Sequence, residues 1–316
     1  MKEIKISSQE SGQTILKYIK KFLNNASLNF IEKIFRKKKI LVNDKKIKKT
    51  YVIQENDILK IFVSEQQLQK IHKTFALKNA NNQLNIIYED NNIIIINKPK
   101  KILSHDNVTN DNISLIDQAI YYVLNKKENN NLNLFKPVLC HRLDYNTSGI
   151  IIFAKNIKTS QIMKDIFKNR KIEKYYLVLV FGALNNKNGL INKPLKKLNN
   201  TVKIDFKNGK QAITKFQILK KFKNFTFIKV ILVTGRTHQI RVHLSSIGFP
   251  VVGDSKYGDF KKNHLFNKKF NYNSQFLHAY KIKFKKIQDP FLNYLSNKTY
   301  TADIGDKEKA ILNLLE

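Results

Sequence analysis

The sequence predicts an α+β protein: a mixed or antiparallel sheet with flanking helices, preceded by a small N-terminal unit with a core of its own. Three observations carry that expectation. From Leu84 onward, strand-like segments rich in β-branched and aromatic residues outnumber helical ones and do not alternate strictly with them, which argues against a doubly wound sheet. Residues 1–65 instead hold two amphipathic helical stretches and a short basic hairpin. The 316 residues, 42% hydrophobic, suffice for one full-sized domain and a small accessory one. The expected division is 1–65, a linker over 66–82 with no clear periodicity, and the larger domain over 83–316.

In chain order, Ile15, Ile19, Phe22 and Leu23 recur at helical spacing, with Lys17, Lys20 and Lys21 turned away. Ser27 is placed to cap a second helix. Leu28, Ile31, Ile34 and Phe35 form its expected buried face, and Lys33, Arg36 and Lys37 project from it. A strand Ile40-Leu41-Val42, a turn at Asn43-Asp44, a basic return and a closing strand from Ile58 to Val63 complete the unit. Beyond the linker, strands are expected at Ile86–Tyr88, Ile93–Asn97, Val138–Leu139, Ile150–Ala154, Lys174–Val180, Ala212–Leu219 and Phe225–Val233. Helices are expected at Leu115–Leu124, capped by Ser114, and at Lys158–Arg170, with an Asn-rich loop over 125–133.

Lys plus Arg number 58 against 24 acidic residues, a formal charge of +34 that self-repulsion makes costly unless a polyanion lies close by. Nucleic acid is the expected partner, and a drift that inflates Lys, Asn and Ile together is the competing source of charge. Only five residues are Arg, and three of them (Arg142, Arg236, Arg241) fall in two short segments. An Arg in a Lys-dominated chain hints at a need for a planar, bidentate or stacking cation. A single cysteine, Cys140, excludes an internal disulfide framework and a multi-cysteine zinc cluster. With no apolar signal core at the N-terminus and no long apolar run, a cytoplasmic protein without a membrane partner is expected.

The segment CHRLDYNTSGIIIFAK runs from a short strand into a polar turn, and Gly149 lets the chain re-enter a strand at Ile150. His141, Asp144 and Thr147 fit either a turn stabilised by Asp and Thr side chains or a carboxylate open to a cleft. HRLDYNTSG resembles the HRLDxxTSG signature of RluA-type RNA pseudouridine synthases. Four further blocks match in the same order: IIYEDNNIIIINKPKKILSH, KYYLVLVFG, TGRTHQIRVHLSSIGFPVVGDSKYG and LHAYKIKF. Residues 1–65 resemble the S4 RNA-binding module, and the VNDKKIKK hairpin is most similar to the RluC branch, which modifies large-subunit ribosomal RNA.

The resemblance implies the pseudouridine synthase fold, a mixed, mostly antiparallel sheet split by an RNA-binding cleft, with no metal or organic cofactor. It implies Asp144 as the nucleophile toward the target uridine, Arg241 as the cation that keeps Asp144 ionised in a dry pocket, and Tyr176 as the ring that packs on the base. Arg142 would fill the gap left by the extruded base. On the S4-like unit Arg36, Lys37, Lys38, Lys39, Lys45 and Lys46 would track phosphates. The expected partner is large-subunit ribosomal RNA or its precursor particle, and the protein is expected to be a monomer.

His141 is expected to orient its loop, and Cys140 to pack in the core. Thr237 is expected to cap, and Gly248 to stop, a helix carrying Arg241. Asp254 and Asp259 match a structural turn and are given no catalytic role. The glycine usual after the Asn97-Lys98-Pro99 turn is replaced by Lys101. Two other classes compete: a non-catalytic RNA-binding or ribosome-assembly factor, which would lack Asp144 or Arg241, and a hydrolytic glycosidase, which commonly needs a second carboxylate.

Overall fold

The computed structural model describes residues 1–8, 10–23, 26–63, 84–105, 113–125 and 136–316. The expected linker and most of the Asn-rich loop lie outside the described residues.

Residues 2–63 form a four-stranded antiparallel sheet, in the order β1 (Lys2–Lys5), β4 (Ile58–Ile61), β2 (Ile40–Val42), β3 (Lys45–Lys46). Helices α1 (Ile15–Phe22) and α2 (Leu28–Arg36) pack on the same core, which includes Ile15, Ile19, Leu23, Ile31, Ile34, Ile40 and Ile61. Thr14 and Ser27 cap the two helices through their side-chain oxygens. Asn43 and Asp44 both adopt positive φ (49° and 59°), the turn whose twist suits a two-residue hairpin. One expectation fails here: Leu28 is 62% exposed, because the first helical residue extends past the core edge that Ile31 and Ile34 reach one turn later.

The larger sheet runs β10 (Asn188–Asn192), β13 (Ile213–Lys221), β14 (Phe225–Leu232), β9 (Ile172–Phe181), β15 (Leu277–Phe284), β8 (Ser148–Ala154), β6 (Ile93–Lys98), β5 (Ile86–Glu89). Two short strands, β7 (Val138–Leu139) and β16 (Thr299–Thr301), pair with β8 and β15. Every pairing is antiparallel except β15 with β8. The sheet is therefore mixed and mostly antiparallel, as the missing strand–helix alternation implied.

Ile93 to Ile96 are fully buried because both faces of β6 are covered. Ile94 and Ile96 face the core lined by Leu115, Ala119 and Val123 of helix α3 (Leu115–Asn125). Ile93 and Ile95 face Met163 and Ile166 of helix α4 (Ile157–Lys168). Ser114 caps α3 in a reciprocal exchange with Asp117, and Asn156 caps α4.

The parallel pair lies mid-sheet, where Ser148 and Gly149 meet His278 and Ala279. A Cβ on Gly149, whose φ is +111°, would lie 2.3 Å from the Ala279 carbonyl oxygen. Glycine is thus required for β8 to approach β15. That approach carries the preceding loop, with Asp144, to the centre of the sheet. A hairpin of β11 (Leu195–Lys197) and β12 (Val202–Ile204), helices α5 (Gln239–Ser245), α6 (Phe260–Phe270) and α7 (Asp306–Leu314) and a 3-10 turn at Asn293–Leu295 complete the described elements. Among the described residues no helix is long and apolar enough to cross a membrane.

Candidate active site

The loop between β7 and β8 is held from beneath. Ser104 Oγ donates to the Leu143 carbonyl (2.8 Å), and the Thr147 N–H closes a turn onto the Asp144 carbonyl (3.0 Å). Lys98 is 0% exposed, yet its ammonium donates to three carbonyls, those of Pro99 (2.8 Å), Ile102 (2.8 Å) and Tyr145 (3.2 Å). Burial pulls its pKa down to about 7, with the negative charge of Asp144 opposing that shift. The Lys101 N–H donates to the same Tyr145 carbonyl while Lys101 sits at φ 61°, the left-handed region that explains why glycine is usual there.

Asp144 faces a cleft of about 710 Å³ and accepts from Arg241 Nη1 at 2.8 Å. On the other side of the guanidinium, Nε and Nη2 donate to the two oxygens of Asp254 at 2.7 and 2.8 Å. The Arg241 side chain is 9% exposed and that of Asp254 1%, while Asp144 keeps 29%. Arg241 therefore has one buried carboxylate that fixes it and one accessible carboxylate that it orients. Burial alone would lower the Arg241 pKa, but the hydrogen bonds and charge of Asp254, and then the charge of Asp144, raise it above the ordinary value. For Asp254, burial acts to raise the pKa and is outweighed by the hydrogen bonds and charge of Arg241, so the carboxyl is held low.

Helix α5 is set in place by its first residue. Gln239, 2% exposed, donates to the Ile213 carbonyl and Thr214 Oγ1 and accepts from Thr234 Oγ1 and the Arg236 N–H. The expected Thr237 cap is not found: the cap position is His238, in the left-handed region at φ 51°, with no side-chain capping bond. That backbone turns the His238 ring toward the site. Tyr257 Oη accepts from the Val202 N–H (2.9 Å) and is hydrogen-bonded to His238 Nδ1 (2.8 Å). The other ring nitrogen, Nε2, lies 3.7 Å from Asp144 Oδ2. Burial lowers the His238 pKa and favours the neutral ring.

Tyr176 lines the cleft at 7% exposure, and among the described residues its hydroxyl makes no hydrogen bond. Burial, then the charge of Asp144, push its pKa above the ordinary value, so the ring enters the cleft as a neutral phenol. Tyr175, on the opposite strand face, is half-buried, donates to Glu173 and packs edge-on against Tyr280. His141 Nε2 accepts from the Ile152 N–H (3.3 Å) and its ring packs on Phe167. Burial pulls its pKa down to about 3, which suits a neutral loop-orienting histidine. Burial pushes the Cys140 thiol up to about 12, as fits a packing residue. Arg142 is exposed at the cleft, with Nη1 3.3 Å from the His105 ring.

Four of the five arginines, Arg142, Arg170, Arg236 and Arg241, line this cleft, and Asp144 is the one acidic residue among those described there. No group of three or more potential metal-ligating side chains occurs among the described residues. Sequence reasoning missed Asp254, His238, Tyr257 and Lys98. The signal for Asp254 is its place in the GDSKYG block, which by sequence alone marks a structural turn.

A sequence profile described as RNA pseudouridylate synthase matches residues 92–246, a span that takes in Asp144, Tyr176 and Arg241 and ends before Asp254. The solved structure of human RNA Pseudouridylate Synthase Domain Containing 4 superimposes with a TM-score of 0.59 at 21% identity, covering 73% of this chain and 92% of that one, which establishes the fold. The ribosomal large subunit pseudouridine synthase C of Buchnera aphidicola subsp. Baizongia pistaciae is 34% identical over 294 residues, 89% of this chain and 88% of the relative. The ribosomal large subunit pseudouridine synthase D of Borreliella burgdorferi is 31% identical over 258 residues, 79% of this chain and 75% of the relative. The chain belongs to the RluA family of RNA pseudouridine synthases. Its activity is that of an isomerase, converting uridine in RNA to pseudouridine.

Proposed function

We propose that this enzyme modifies uridines of large-subunit ribosomal RNA, with Asp144 as the nucleophile. The observation that carries the catalytic assignment is the pairing of the cleft's one described carboxylate with a guanidinium that a second, buried carboxylate fixes. Asp144 attacks the target uridine at C1′ of the sugar or C6 of the base. The uracil is detached, turned and rejoined through C5, and the hydrogen on C5 leaves as a proton. Arg241 aims Asp144 before attack through the Nη1–Oδ2 hydrogen bond. Tyr176 packs on the base. The C5 proton is lost to solvent, and the Tyr176 hydroxyl, which burial keeps protonated, gives the packed ring a polar edge beside the base.

Several observations support the rest of the reading. Both relatives named above carry large-subunit names. Arg36 and Lys37 to Lys39, at the end of α2, and Lys45 and Lys46, on β3, are exposed beside a core built of residues 2–63, as an S4-like RNA-binding domain over 1–65 requires. We assign 83–316 to the catalytic domain and expect a cytoplasmic monomer. Arg142, exposed at the cleft, fits the role of filling the stack when the uridine is extruded.

Asp144→Asn tests the assignment, since it removes the charge and nucleophile while keeping the shape. RNA carrying tritium at C5 of uridine reports turnover as tritium in water. The wild type releases label without free uracil, and the variant binds RNA but releases none. Release by Asp144→Asn at the wild-type rate would refute Asp144 as nucleophile, and free uracil with an abasic product would favour the hydrolase reading.

A further inference from the structure

Two residues before Tyr176, and so on the same face of β9, Lys174 enters the cleft about 6.6 Å along the strand. Its surroundings are unusual for a lysine. Among the described residues its ammonium makes no hydrogen bond and no ion pair, and the nearest aromatic face, that of Phe167, is 5.9 Å away. Burial lowers its pKa. A half-buried cation without a counter-charge destabilises the free protein.

The opposite wall accommodates this ammonium. Leu232, in register with Lys174, ends β14, and the chain then folds back so that a Cβ on Gly235 would stand 2.9 Å from Lys174 Nζ. Gly235 thus leaves room at the point where the ammonium reaches the cleft. Arg170 and Arg236 line the same cleft, both exposed, and neither makes an ion pair among the described residues. Among the described residues, Lys174, Arg170 and Arg236 line this wall of the cleft and Asp144 is the cleft's one carboxylate.

We propose that Lys174, set against Gly235 and flanked by Arg170 and Arg236, forms a phosphodiester-binding seat that holds the RNA backbone at or next to the target nucleotide. This rests on RNA being the substrate. The seat exchanges stability of the free enzyme for grip on the strand, because its cation is left unpaired until phosphate arrives. A lysine with no phosphate to hold would show the same gain in stability on replacement by a similar-sized apolar residue but would leave phosphate recognition and the salt slope unchanged.

Lys174→Met decides between them. The expected result has three parts: a higher urea midpoint for the free protein, weaker RNA binding, and a plot of log affinity against log salt that is less steep by about 0.7, the slope that one neutralised phosphate contributes on a single strand. The site is located with RNAs in which each linkage around the target uridine is replaced in turn by an uncharged methylphosphonate. One position should weaken the wild type and leave Lys174→Met unaffected, while Lys174→Arg retains the wild-type pattern. Gly235→Ala, which displaces the ammonium without removing its charge, should lose discrimination at the same linkage. Tritium release by the wild type serves as the control for the family activity, so failure of the seat is read separately. An unchanged salt slope in Lys174→Met, or equal methylphosphonate penalties in both proteins at every linkage, overturns the proposal.

Discussion

Asp254→Asn should unlock the site without touching any residue that faces the cleft. Asp254 is 1% exposed and accepts from Arg241 Nε and Nη2 at 2.7 and 2.8 Å, and its Oδ1 also accepts from the Lys256 and Tyr257 N–H groups. Removing one partner of a buried ion pair costs about 3–5 kcal/mol, because the other charge is left uncompensated. The asparagine keeps one acceptor oxygen, and Asp144 keeps a charge on the far side of the guanidinium, which brings the expected loss down to about 2–3 kcal/mol. A guanidinium freed to shift by an ångström misplaces Asp144, for which a loss of roughly 100-fold in turnover is expected. Urea unfolding measures the first quantity and single-turnover tritium release the second.

The pH dependence follows from the direction of the Asp254 shift. Burial raises its pKa, but the Arg241 bonds more than offset this, so the folded-state value lies below the unfolded one. The stabilisation is then fully present above the ordinary carboxylate value of about 4 and is lost as pH falls through the lower, folded-state value. Wild type and Asp254→Asn should therefore converge in stability on acidification below about pH 4. If the variant matched the wild type in both urea midpoint and turnover at neutral pH, Asp254 would not be what holds Arg241.

Lys101→Gly should stabilise the protein by roughly 0.5–1 kcal/mol in urea unfolding, since it relieves a left-handed residue at φ 61° while the N–H bond to Tyr145 is retained. A loss of stability would mean that the Lys101 side chain matters more than its backbone strain. Arg142→Ala should slow tritium release more on structured RNA than on a short flexible strand, because extrusion costs least where the base is already unstacked. Equal losses on the two substrates would contradict the stack-filling role.

Much of this architecture was legible from local signals. Apolar spacing and capping side chains are short-range properties, so α1, α2, α3 and α4 and the central strands were readable within a few residues of their ends. Ile93–Asn97 read as a strand, and the structure covers its continuous apolar run on both faces. The HRLDYNTSG and GRTHQIR segments identified Asp144 and Arg241 as residues, and their shared geometry was expected only through family resemblance.

Tertiary structure decided which groups meet. Asp254 carries the same carboxylate as any other aspartate, and only the fold of the loop after Val252 brings it against Arg241. Leu28 satisfies the helical periodicity yet stays exposed, because periodicity defines a face and not how far the neighbouring core extends. His238 takes the cap position expected of Thr237, since the side-chain network of Gln239, anchored on β13, sets where α5 begins. Lys98 reads as one more surface lysine among many, until the neighbouring carbonyls of Pro99 and Ile102 and the distant one of Tyr145 close around it. Residue chemistry and local spacing are written along the chain, whereas burial and hydrogen-bond partners arise from distant segments brought together, and these set the aim of Asp144.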